Sequence, residues 1–178
     1  MRDSQRSKVY RAERAAFLGA PYSKSMELND IEKWVQRIVD SPWTQKHLGK
    51  RNHIKVKDGR GTTWARGSRS GWINLPRWAR VNWVVLHELS HVYNSKGPVH
   101  GWNFCRIFLM LVRHWMGQEA HDALKQSFKK HRVRFTEKKK RSISEEQRQA
   151  LRQRLAQYLQ NKQEAAMSPV VSVDGWKS

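Results

Sequence analysis

The sequence predicts an α+β protein: a compact domain with a small antiparallel sheet, a helix carrying an HExxH motif, further packed helices, and a C-terminal helical tail. Three observations carry this reading. Apolar residues recur at helical spacing in four segments between residues 27 and 130. Residues 52–76 switch to period two, with turn signals between the runs. The length of 178 residues is that of a single domain with room for an appendage.

Residues 1–22 are basic and weakly patterned, with a short helix near 9–18 stopped by Gly19-Ala20-Pro21; they read as a segment preceding a domain of residues 23–136. Residues 27–40 form the first clear helix. Leu28, Ile31, Trp34, Val35, Ile38 and Val39 share one face, Ser25 is the expected N-cap, and Ser41-Pro42 closes it. Then His53-Ile54-Lys55-Val56-Lys57 alternates, Asp58-Gly59 signals a turn, and Thr62-Thr63-Trp64-Ala65 and Trp72-Ile73-Asn74-Leu75 follow as two more short strands. Residues 80–94 return to helix, with Val81, Val84, Val85, Leu89 and Val92 apolar, and Asn94-Ser95-Lys96-Gly97-Pro98 breaks it. A strongly apolar helix spans 102–116 and ends at Gly117, and another covers 118–130. Glu137-Lys138-Lys139-Lys140-Arg141 marks a composition break. Beyond it, residues 137–178 read as a basic linker, an amphipathic helix opened by a capping box at Ser142-Ile143-Ser144-Glu145 with a stripe of Leu151, Leu155, Tyr158 and Leu159, and a flexible last ten residues.

Charge narrows the partners. Thirty-five Lys and Arg oppose 15 Asp and Glu, a net +20. Residues 137–178 hold nine basic and five acidic side chains, so +16 resides in residues 1–136. Such a balance points to a polyanion, nucleic acid before membrane. No apolar run is long enough to span a bilayer and no signal core follows the N-terminus, so a cytoplasmic setting without membrane is expected. The single cysteine, Cys105, excludes an internal disulfide and a thiolate metal cluster; within an apolar helix it reads as a buried thiol. Seven of the nine tryptophans fall in structured segments, which makes a compact core feasible despite a mean hydropathy of −0.84.

The chemistry lies in His87-Glu88-Leu89-Ser90-His91. Histidines at i and i+4 share a helix face, with Cβ atoms about 5–6 Å apart. Both imidazoles can then reach one zinc ion at about 2.0–2.1 Å. Glu88 projects beside the metal, where it can take a proton from water and pass it to a leaving amine. A catalytic zinc keeps three protein ligands and an open position. His100, returned toward the metal by the turn at Gly97-Pro98, is the favoured third ligand, with Glu119 and Asp122 as rivals. His47, His53, His114, His121 and His131 read as surface or structural residues. Tyr93 and nearby arginines are candidates for stabilising an oxyanion.

The stretch Trp72-Ile73-Asn74-Leu75-Pro76, then Val84-Val85-Leu86-His87-Glu88-Leu89-Ser90-His91, then His100-Gly101-Trp102-Asn103-Phe104, resembles the compact SprT-like and minigluzincin-type HExxH zinc metallopeptidases. It is similar in particular to a metallohydrolase family of actinobacteria and their phages. The resemblance spans roughly residues 27–135, with the specific part in 72–117. It implies a zincin-like domain that hydrolyses peptide bonds through zinc-activated water, with His87, His91 and His100 as ligands and Glu88 as general base. It also implies a bacterial or phage-infected host cell and, for SprT-like enzymes, action on DNA-associated proteins. Trp102-Asn103 departs from the Pro-Glu common after the His-Gly pair, a change expected to touch substrate access rather than metal binding.

Composition supplies a separate reason to expect DNA. Lys55, Lys57, Arg60, Arg66 and Arg69 cluster around the predicted strands, with Trp64 and Trp72 interleaved, a pattern suited to phosphate contact and base stacking. The expected partners are therefore a protein or peptide substrate and nucleic acid. The alternative reading is a nucleic-acid-binding protein that keeps a zincin fold without turnover.

Overall fold

The computed structural model describes residues 3–137 and 143–167. Contacts divide the chain into two units, Met1–Glu137 and Lys138–Ser178. The first is α+β. In order it holds α1 (Arg6–Phe17), α2 (Leu28–Asp40), α3 (Pro42–Leu48), β1 (Lys55–Asp58), β2 (Arg66–Ser68), β3 (Trp72–Leu75), α4 (Asn82–Tyr93), α5 (Trp102–Trp115) and α6 (Gln118–Lys130). A short 3-10 turn at Arg77–Ala79 joins β3 to α4.

The basic N-terminal segment is part of this unit rather than a prelude to it. In α1, Val9, Ala12, Glu13, Ala16 and Phe17 fall at i, i+3, i+4, i+7 and i+8, and all five are buried. That face packs on α6, where the Ser127 hydroxyl donates to the Ala12 carbonyl. In α2 the expected face is buried, but the N-cap is Glu27; Ser25 instead forms an isolated bridge with Val81. Pro42 occupies the first turn of α3, a helix the apolar pattern does not announce, where its missing N–H is no loss.

The sheet corrects two expectations. Its order is β1-β3-β2, with β1 parallel to β3 and β2 antiparallel to it, so it is mixed rather than antiparallel. Residues 62–65 are not a strand. The pairing begins one residue later, at Arg66, and Gly71 at φ +88° turns the chain from β2 into β3. Val56, Ile73 and Leu75 point into the core, and the solvent side keeps Lys55 and Lys57 exposed.

Helix α4 runs through the centre, against β2, β3 and α5. Every residue from Val84 to Ser90 is buried, as expected of a helix apolar nearly all round. The core is built from Phe17, Phe104, Phe108, Phe128 and aliphatic side chains. Tryptophan does not fill it: Trp34, Trp43, Trp83 and Trp115 pack at its edge, and Trp64 and Trp78 are 59% exposed.

The second unit contains α7 (Glu145–Met167). Its capping box is displaced two residues from the expected one: the Gln147 backbone N–H donates to Ser144 Oγ, and the Ser144 N–H to Gln147 Oε1. Ser142 and the last ten residues lie outside the described part of the chain. Leu151, Leu155, Tyr158 and Leu159 are exposed. No helix among the described residues is long and apolar enough to cross a membrane.

Candidate metal centre

Three histidines converge at the C-terminal half of α4. His87 and His91 stand one turn apart on it, and His100 reaches them from the loop before α5. His91 Nε2 lies 3.0 Å from His87 Nε2, and His100 Nε2 lies 3.4 Å from the same atom. Among the described residues this is the one group of His, Cys, Asp or Glu side chains close enough to hold a metal ion. The rival third ligands are elsewhere: Asp122 is engaged by Gln118 and His121, and Glu119 lines a separate cavity with Tyr22 and Trp34. His47, His53 and His121 bond to Trp43, Gln36 and Asp122, and His114 stacks on Trp43.

Two of the rings are held from behind by carboxylates of the N-terminal segment. His87 Nδ1 donates to Glu13 Oε1 at 2.6 Å, with both side chains buried. His100 Nδ1 donates to Asp3 Oδ2 at 2.5 Å. Each bond sets the tautomer that leaves the Nε2 lone pair facing the centre, the arrangement a metal requires. This support comes from residues 74 and 97 positions upstream of the histidines they hold. Glu13 had left a signal in the sequence, an acid at i+4 on an otherwise apolar helical face. Asp3 had left none.

The loop carrying His100 is pinned at both ends. The buried Asn94 side chain donates to the carbonyls of Pro98 and Val99, and Asn103 in turn donates to Asn94 Oδ1. Gln5 bridges the His100 carbonyl and the backbone of Arg134. Asn103 thus helps to fix the loop that carries His100. Cys105 is buried, its thiol pushed up by burial.

Burial pushes the His91 imidazole well below its ordinary range, reinforced by its two neighbours. Burial and His87 bring His100 down to about 4 against the opposing pull of Asp3. For His87 burial acts the same way, but the Glu13 carboxylate outweighs it and the group is raised. Neutral imidazole is the metal-binding form, so two of the three rings are already in it at neutral pH.

Glu88 is buried beside the cluster. Burial and the Glu13 charge raise its carboxyl to about 7, against the pull of His87 and of a hydrogen bond from the Gly67 backbone N–H. Gly67 sits on β2 so close to α4 that a Cβ there would lie 2.1 Å from the Glu88 carbonyl oxygen. Glycine is required at this contact, and it is what brings the sheet edge against the motif. A cleft of about 760 Å³ opens over the histidines, walled by β2, Tyr10, Arg6 and Arg69. Tyr10 packs its ring against His87 and His100 at 5.6 and 5.2 Å. Tyr93 does not line this cleft; its hydroxyl is buried without a hydrogen-bond partner.

The residues expected to meet nucleic acid are brought together only in part. Lys57, Trp64, Arg66 and Trp72 line one shallow depression of about 320 Å³. Lys57 Nζ sits 4.4 Å from the Trp72 ring centroid, which occupies one face of that ring. Trp64, Arg66 and Trp72 also line the histidine cleft, where Arg69 joins them; Arg60 pairs with Asp58 in the turn after β1, and Lys55 is an exposed residue on β1. Compared with models of known protein families, with curated proteins and with solved structures, the chain matches none.

Proposed function

We propose that this chain is a zinc-dependent metallopeptidase of the HExxH type, with a SprT-like zincin architecture. The observation that carries the reading is the convergence of His87, His91 and His100 on one point with Glu88 buried beside it. Tetrahedral zinc with Zn–N bonds of about 2.0–2.1 Å places its nitrogen ligands about 3.3 Å apart. The two separations from His87 Nε2, 3.0 and 3.4 Å, fit that geometry, and all three ligand atoms lie within 4.8 Å of one another. An all-nitrogen, neutral donor set suits zinc better than magnesium or calcium, which take oxygen ligands.

Zinc bound there would acidify a water molecule and polarise a peptide carbonyl. The chain's own residues supply the rest. Glu88, with its carboxyl raised to about 7, is poised to accept a proton from attacking water near neutrality and return it to the leaving amine. Tyr10, packed on two of the ligand rings and lining the cleft, replaces Tyr93 as the side chain assigned to the oxyanion. An extended peptide lies along β2, the sheet edge bordering the cleft, as an added strand.

The test is metal analysis of the purified protein beside Glu88→Gln, with casein and self-cleavage assays on both. One zinc per chain in each protein and hydrolysis in wild type alone are expected, because a general base contributes about 10²–10⁴-fold. Equal hydrolysis by the variant would refute the role of Glu88. Absence of cleavage by either would favour the second reading, a nucleic-acid-binding protein without turnover. That reading draws on the +16 of residues 1–136 and on the depression shared by Lys57, Trp64, Arg66 and Trp72. Under either reading DNA is the nucleic acid proposed, and action on DNA-associated proteins joins the two.

A further inference from the structure

Two cavities border Glu88 and differ in character. The wide cleft over the histidines carries three arginines, Arg6, Arg66 and Arg69. A smaller cavity of about 100 Å³ is walled mainly by Trp64, Ala65, Trp78, Trp83 and Val84, with Arg14 its one basic side chain and Glu13 engaged by His87; Trp64 and Ala65 face the wide cleft as well. Glu88 and His87 border both the cavity and the metal centre.

The aromatic walls are fixed in place. Trp83 stacks on the fully buried Phe17 ring at 5.5 Å, and the Trp78 indole N–H donates to the Thr63 carbonyl. Trp64 and Trp78 nevertheless remain 59% exposed. Two large aromatic rings held open to water at the mouth of a cavity gain by being covered, and the cavity holds one side chain rather than a loop. Ala65 lines it and directly precedes β2, so a peptide paired with that edge strand passes its mouth.

We infer that this cavity is a side-chain pocket that selects a large apolar residue, aromatic or long aliphatic, immediately beside the peptide bond that is cut. The three arginines of the wide cleft, against the single Arg14 of the pocket, disfavour lysine and arginine across that bond and favour acidic residues. The substrate class is thus an extended peptide that is apolar on one side of the cleaved bond and acidic on the other. The inference rests on the metallopeptidase reading for its orientation, but the pocket can be tested without turnover.

The experiment uses the full-length Glu88→Gln protein loaded with zinc, and two peptides with acidic flanks that differ only in a central phenylalanine or alanine. Tryptophan fluorescence reads binding. The phenylalanine peptide is expected to bind at least tenfold tighter, since a few methylene equivalents in an apolar pocket discriminate by about 10–200-fold. Introducing Ala65→Phe, which fills the pocket, or Trp78→Ala, which removes an exposed wall without touching the core, should each collapse that ratio at least tenfold. In parallel, cleavage sites on denatured casein by the wild-type protein, read by mass spectrometry, should cluster beside Phe, Tyr, Leu or Met. Equal affinity for the two peptides, or a ratio that survives both variants, overturns the pocket even if casein is cut. A clear preference abolished by both variants, with no casein cleavage, upholds the pocket and instead counts against hydrolysis.

Discussion

Helices α1 and α7 are both basic, and both carry apolar residues at helical spacing, yet they have opposite fates. In α1 the apolar face is buried and includes the Glu13 carboxylate, which holds His87 of the candidate metal centre. In α7 the stripe of Leu151, Leu155, Tyr158 and Leu159 is exposed. The apolar periodicity is the stronger in α1, where small residues conceal it from a reading of the sequence. What separates them is size and placement of the apolar residues. Val9, Ala12 and Ala16 are small enough for close approach to α6, and Phe17 inserts beside Phe108 and Trp83. The lesson is that a weakly patterned terminal segment can be an integral wall of a site built elsewhere in the sequence.

The largest effect should come from removing α1. A chain lacking residues 3–17 loses Phe17, Glu13 and Asp3 together, and is expected to lose cooperative thermal unfolding and stoichiometric zinc. A variant that still melts sharply and binds one zinc would show that α1 is as dispensable as α7. Next is His100→Ala, expected to lower zinc occupancy sharply with the fold retained by circular dichroism. Full occupancy would remove His100 from the ligand set.

Glu13→Gln keeps the shape of α1 and weakens the hold on His87. Loss of such a supporting partner typically costs about 10–100-fold in metal affinity. At fixed free zinc well above Kd, that factor removes about 1.4–2.7 kcal/mol of metal-dependent stability. Chelator competition and the zinc-induced rise in Tm would both register it. Unchanged affinity would make Glu13 a packing residue only. Asp3→Asn is expected to act in the same direction but less strongly, because the Asp3 side chain is 20% exposed whereas that of Glu13 is 3% exposed. The smallest effect is assigned to α7: truncation after Glu137 should leave zinc content and Tm of the first unit unchanged. A lowered Tm would erase the contrast between the two helices.

Much of the centre was legible because it is local. The i, i+4 pair His87 and His91, and Glu88 between them, follow from helix geometry alone once residues 80–94 read as helix. His100, nine and thirteen residues beyond His91 and His87, needed only the chain reversal at Gly97-Pro98. The α+β class, the bounds of α2, α5 and α6, and the positive-φ stop at Gly117 were likewise local matters of period and capping.

Tertiary structure decided the rest. Asp3 and Glu13 act on rings far along the chain, and no spacing rule links a carboxylate to a histidine 74 or 97 residues away. The parallel pairing of β1 with β3 was equally hidden, because strand direction depends on where a connection runs and not on the two-residue alternation of the strands it joins. The tryptophans show the same limit: composition measures how much apolar surface a chain owns, while shape decides whether it packs on a core or is left open beside Glu88. Sequence alone therefore determined the i, i+4 histidine pair and the glutamate between them, whose geometry is set within a few turns of chain. The carboxylates behind His87 and His100, the glycine contact that brings β2 to Glu88, and the aromatic cavity beside it exist only because distant segments pack together.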